Sequence, residues 1–346
     1  GLRAADPVLG LALLMLVAIL LAEALHRTWR IPRTCGHMLT GAVAGPVMLR
    51  IFQGLELDPW KPLIDLAIGA LLFELGTRLR PRWLLDNRWL ALSVLLQAAL
   101  AGLFVTLALG WLGAPWLTAV VAGTVAAWAS PVIGRAVSDE ARARGQVAER
   151  MLMMSAFNAV VAVVGLKVLR IVLASDSGTP AEEFTRASIS ALRVISGSFL
   201  LGVACGFVMD RVSPLVRGTP AMPVLQIALV IIASMLAAQW TLSPLLALLV
   251  AGMTARARMQ HALTVEPHLG SAGAVLNVLL FICLGLLFTL DGLARLWPWV
   301  LVIVLARLAG TAAAVAGLAK LSGLGLKQAA ALTLALQPMS SLAVLL

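Results

Sequence analysis

The chain has 346 residues, 61% hydrophobic and 12% charged, with a net charge of +10 and no tyrosine. Apolar runs of about 20 residues recur throughout, the length at which a helix spans a bilayer, and no soluble core can bury so much apolar sequence. A soluble domain is therefore excluded. A β-barrel, which would show alternating strands of about ten residues, is excluded too. The excess of positive charge reads as cytoplasmic loops beside anionic lipid rather than as a nucleic-acid surface.

The sequence predicts an all-α polytopic membrane protein of twelve apolar segments. They lie at about 7–25, 35–52, 63–79, 89–110, 114–136, 149–174, 187–209, 221–239, 242–255, 270–290, 297–319 and 328–346. Segment 2 carries Gly41 and Gly45, four apart, a small-residue face suited to close helix packing. Segment 3 holds Glu74, the deepest acid, for which two roles fit: a proton carrier, or a partner for Arg78 one turn on. Segment 5 is interrupted at Ala129-Ser130-Pro131-Val132, where proline removes a backbone donor and frees a carbonyl. Such a break survives in hydrocarbon only where protein or a wet cavity surrounds it.

Segment 6 places Ser155 and Asn158 three apart on one face. They are either oxygen donors to a cation and to the broken segment 5, or interhelical glue. A polar loop is expected near Ser175 to Arg186, and segment 7 is read as a linker. Segment 11 buries Arg307 near its middle, at an insertion cost of about 2.5–3.5 kcal/mol that something must offset. Freed carbonyls of the broken segment 12 or a carboxylate would do so, whether Arg307 serves transport or only braces the fold. Segment 12 is interrupted in its turn at Gln337-Pro338.

Three cysteines without CxxC spacing and four scattered histidines form no metal pattern, and no catalytic residue is assigned. Loops after odd-numbered segments hold 17 of the 26 Lys and Arg, those on the other side 7, so the N-terminus is expected outside. Pro131 and Pro338 stand 207 residues apart (338 − 131), as do Ala44-Gly45 and Ala251-Gly252 (251 − 44). Both pairs shift by seven segments, an odd number, so the second copy is upside down. The expected organisation is a first inverted repeat over 1–186, a linker helix over 187–210 and a second repeat over 211–346. The chain starts without methionine and ends within an apolar run. A longer protein is therefore expected, with a thirteenth helix and room for a soluble C-terminal domain.

These residues resemble a family. The run from Cys35 to Pro46 resembles a glycine-rich second helix ending in Gly-Pro. Ala129-Ser130-Pro131-Val132 resembles a Thr-Ser-Pro break, Asn158-Ala159 an Asp-Asp or Asn-Asp pair, and Arg307-Leu308-Ala309-Gly310-Thr311 a Lys-Leu-Leu-Gly-Thr segment. The resemblance is to the monovalent cation:proton antiporter-2 family, sodium or potassium exchangers, over essentially the whole chain. It implies a homodimer in a bacterial inner membrane, a scaffold and a moving core, and broken segments 5 and 12 crossing near the midplane. It also implies alternating access and no cofactor beyond the transported cation and protons.

The candidate ion or substrate site is then Ser130, Pro131, Ser155, Asn158, Arg307, Gln337 and Pro338, with Glu74 for proton coupling. The sequence departs from the family at three places. Ala159 stands where the family has its cation-binding acid, Ala129 where it has the threonine of the break, and Met339-Ser340-Ser341 replaces an Arg-Gly-Glu stretch. An arginine without that acid would repel a cation at about 4 Å by roughly 4 kcal/mol in an effective dielectric of about 20. Three readings follow: cation/proton exchange; a changed substrate, such as an anion, or coupling moved to Glu74; or a non-transporting sensor or assembly module.

Overall fold

The computed structural model describes residues 7–47, 61–79, 87–173, 180–216, 218–219, 221–258, 270–286 and 290–339. Among these residues the chain is helical throughout, with one isolated β-bridge. The helices run in order as α1 (Pro7–Trp29), α2 (Arg33–Ala42), α3 (Lys61–Arg78), α4 (Arg88–Trp111), α5 (Trp116–Ala126), α6 (Pro131–Glu140) and α7 (Gln146–Leu173). They continue as α8 (Pro180–Val216), α9 (Ala221–Gln239), α10 (Pro244–Arg258), α11 (Gly270–Leu286), α12 (Leu290–Ala319) and α13 (Leu326–Ala335). Stretches of α1, α4, α8, α9 and α12 are long and apolar enough to cross a membrane.

All twelve predicted segments are present as helix. Segment 5 is two helices, because the first stops at Ala126 with Ala127 as its C-cap, and Ser130 and Pro131 cap and start the next. Segment 12 is helical only to Ala335 before its break, and its residues 340–346 lie outside the described set. Segment 2 ends in a wide turn, Val43–Val47. Gly45 there is non-helical (φ −70°, ψ −164°) because the ring of Pro46 disfavours the helical region for the residue before it. The loop expected at 175–186 is shorter than predicted, since α8 already starts at Pro180. Proline suits the first helical position.

Helix pairs approach closely where glycines meet. α2 packs on α11, and a Cβ built on Gly41 would lie 2.1 Å from the Ile282 carbonyl oxygen. α10 packs on α3, and a Cβ on Gly252 would lie 2.1 Å from the Phe73 oxygen. Without a hydrophobic drive between helices in lipid, such backbone-to-backbone packing is what holds them together. The largest buried cluster joins α3, α7 and α13 through Leu72, Met154 and Leu332, and takes in Ala129 and Val132 from the break in segment 5. The interruption therefore lies inside protein.

Candidate functional site: a crossing of two interrupted helices

Each half-helix ending at a break leaves carbonyls that its own helix cannot satisfy, and hydrocarbon offers no water to do it. Here several of the freed groups have partners. Ala129 and Met339 form an antiparallel bridge, and the Ser130 amide donates to the Pro338 carbonyl at 2.8 Å. The two interrupted segments thus cross and pair like a minimal two-stranded sheet.

Arg307 reaches this crossing from α12. Its Nη1 donates to the Gln337 carbonyl at 2.5 Å, and its Nη2 to the Leu336 and Trp128 carbonyls at 2.9 and 3.3 Å. The residue is 1% exposed. Leu336 is the C-cap of α13, and Trp128 lies just past the C-cap of α5. The guanidinium therefore sits between the negative ends of two helix dipoles. This offsets the burial cost of Arg307, and it alters the electrostatics expected from sequence. The charge is balanced by two helix ends rather than presented bare to an incoming cation.

Gln97 of α4, fully buried, donates from Nε2 to the Ala127 carbonyl at 3.4 Å and accepts from Asn158 Nδ2 at 2.6 Å. Asn158 is therefore joined to the break through an amide that the sequence reading did not single out. The available signal was a lone glutamine inside an apolar segment, which by the logic applied to Asn158 marks interhelical bonding or a site. Asn158 Oδ1, Arg307 Nε and Thr311 Oγ1 are buried without a hydrogen-bond partner among the described residues. A polar residue of each of α7 and α12 thus keeps unused bonding capacity.

The other predicted site residues have defined local tasks. Ser130 caps α6, its Oγ accepting from the Ile133 amide at 3.3 Å, and Pro131 occupies the first turn of α6. Ser155 is buried, with its hydroxyl turned back to the Leu152 carbonyl at 3.1 Å. Gln337 bonds from Nε2 to the Thr333 carbonyl at 2.9 Å, which fixes the last turn of α13.

Glu74 belongs to a second cluster. Its Oε1 accepts from Arg135 Nη2 at 2.9 Å, and Arg135 Nε donates to Asp139 at 2.5 Å. The Arg78 side chain, the partner considered from sequence, lies outside the described residues. Arg135 is 2% exposed and sits one turn into α6 from Pro131. A cavity of about 430 Å³ lies here, bordered by Arg33, His37, Glu74, Arg135, Asp139 and Asn277. Glu74 is thus not at the crossing, but it grips the helix that leaves it.

The sequence profile of the family described as sodium/hydrogen exchanger, transmembrane, matches residues 12–346. The chain belongs to the sodium/hydrogen exchanger family. The fold is similar to that of the sodium proton antiporter MjNhaP1 from Methanocaldococcus jannaschii at pH 8, with a TM-score of 0.72 at 16% identity, over 94% of this chain and 81% of that one. A three-dimensional electron-microscopy map of the same antiporter gives a TM-score of 0.69 at 16% identity, with the same coverage of each chain. Sequence comparison with curated proteins finds no match. Exchangers of this family are transporters and not enzymes, and the chain is an integral membrane protein.

Proposed function

We propose that this exchanger moves a monovalent cation against protons by alternating access, with the crossing of the two interrupted helices as the place where the ion passes. The observation that carries this is the antiparallel bridge at Ala129 and Met339 in a chain matched over residues 12–346 by the exchanger profile. Interrupted helices near a midplane give an ion backbone and side-chain oxygens without a fully apolar wall. Methanocaldococcus jannaschii MjNhaP1, similar in fold, is a sodium proton antiporter.

In this reading Asn158 Oδ1 and the Ser155 hydroxyl supply oxygens to the cation, and Arg307 holds the two helix ends in register. Ser130, Pro131, Gln337 and Pro338 shape the crossing. Ala159 offers no acid, so proton coupling falls to Glu74. Protonating Glu74 weakens its bond to Arg135, and Arg135 rides on α6, whose first turn makes the crossing. Proton binding thereby loosens one of the two interrupted helices from α3. Placement in the antiporter-2 branch rests on the order of the motifs quoted from sequence.

Two wider parts of the reading have support of their own. An inverted repeat relates segments 2 and 3 to segments 9 and 10. In keeping with it, α2 packs on α11 while α10 packs on α3, the same pairing after a shift of seven segments. An N-terminus outside accords with the distribution of Lys and Arg, and a homodimer in a bacterial inner membrane is what the resemblance to the antiporter family implies.

The test is flux in proteoliposomes under an imposed proton gradient. Adding sodium, potassium or lithium should restore lumenal pH, and Glu74→Gln should abolish that recovery. No response to any of the three cations overturns cation/proton exchange. Recovery unchanged by Glu74→Gln removes that residue from the coupling and leaves exchange standing.

A further inference from the structure

We propose that a groove between α8 and α9 binds an anionic phospholipid of the cytoplasmic leaflet, one acyl chain along the groove and the phosphate on Arg211. The groove has a volume of about 650 Å³ and an almost wholly apolar wall. It exists because its lining is small at Gly197, Ala204 and Ala228, where larger neighbours rise on either side. Ala204 and Ala228 are both exposed. In a bilayer an open apolar groove is filled by hydrocarbon, because nothing else there matches it.

Its two ends differ. The α8 lining steps 201, 204, 208 at helical spacing, and the next position on that stripe is Arg211. The Arg211 guanidinium lies 4.8 Å from the centre of the Phe207 ring, and Arg258 lies 4.7 Å from the same ring. Arg258 is balanced by Asp210 at 2.9 Å. Among the described residues no acid pairs with Arg211, which is exposed. The opposite end is closed by Trp240, 53% exposed, a residue type that favours the membrane interface. From Leu225 to Trp240 the α9 wall runs about 22 Å at ~1.5 Å per residue. That exceeds the ~15 Å depth of one leaflet, half of a hydrocarbon core of ~30 Å.

Charge selects the occupant. A second copy docking by this face about a twofold axis would bring the same basic end against itself, whereas a phospholipid phosphate complements it. The site needs only the bilayer, so it stands apart from the ion chemistry at the crossing.

The experiment titrates the purified full chain in detergent with palmitoyl-oleoyl-phosphatidylglycerol, or with the phosphatidylcholine of the same chains, and counts bound lipid by native mass spectrometry. Phosphatidylglycerol should bind the tighter. Arg211→Gln should weaken it by about fivefold, the value of one basic residue near an anionic headgroup, and Arg211→Lys should keep it. Ala228→Phe should reduce retention of both lipids by filling the groove. Both positions are exposed, and unchanged melting temperatures would verify the fold. Equal binding of the two lipids overturns the proposal, as does wild-type phosphatidylglycerol binding by Arg211→Gln or by Ala228→Phe. A shift of the monomer–dimer balance with lipid binding unchanged would instead make this face a protein interface.

Discussion

Arg307 is the residue on which the crossing depends. It serves three carbonyls from two helices, so its loss leaves three buried acceptors unsatisfied at about 1–3 kcal/mol each before relaxation. Arg307→Ala should therefore lower stability by at least about 3 kcal/mol, seen as a large fall in melting temperature in detergent. Lysine keeps the charge but cannot fork across helices, and should recover only part of it. The position was legible in the sequence, since a lone arginine inside an apolar segment demands a partner. Its partners were legible only as two classes, freed carbonyls or a carboxylate, and the structure shows carbonyls. That they come from both breaks at once required the fold. Gln97 shows the opposite case: its role depends on Asn158, 61 residues away, and no local pattern links the two.

At the scale of elements, both breaks were visible, and the structure changed what the first proline does. Pro131 is not a kink inside a helix; it opens α6, with Ser130 as its cap. A proline in the first turn loses no bond, because the first amides of a helix have no intrahelical partner anyway. Glycine contacts carry the other element-scale lesson. Gly252→Ala would put a Cβ 2.1 Å from the Phe73 carbonyl oxygen, a backbone atom that cannot rotate away. It should destabilise the chain by about 1–3 kcal/mol through overpacking. Gly110→Ala meets nothing within 4 Å and should be neutral or slightly stabilising. Thermal melting of the two variants side by side checks the contrast. Sequence marked Gly41 and Gly45 as a packing face, but not which helix would meet it, because small residues are common in every membrane segment.

For the whole molecule, the topology can be tested with the native cysteines. Cys35 is exposed, while Cys205 and Cys283 are buried. A membrane-impermeant maleimide should therefore label Cys35 alone. With the N-terminus outside, it should do so in inverted vesicles and not in right-side-out ones. Labelling from the outer face would reverse the orientation and, with it, the leaflet assigned to the lipid groove.

Sequence by itself determined the class of molecule, the number and order of its segments, both breaks and the buried arginine. Each of these is a property of composition or short-range spacing, which the bilayer forces into one pattern: apolar runs of fixed length, with irregular backbone only where something satisfies it. Tertiary structure alone decided the partners. It set Arg307 between two helix ends, joined Asn158 to the break through Gln97, and attached Glu74 to Arg135 on α6 rather than to the crossing. Those pairings link residues 29 to 179 apart in the chain. A hydrogen bond depends on where two atoms meet, and that is fixed only when all the helices are packed.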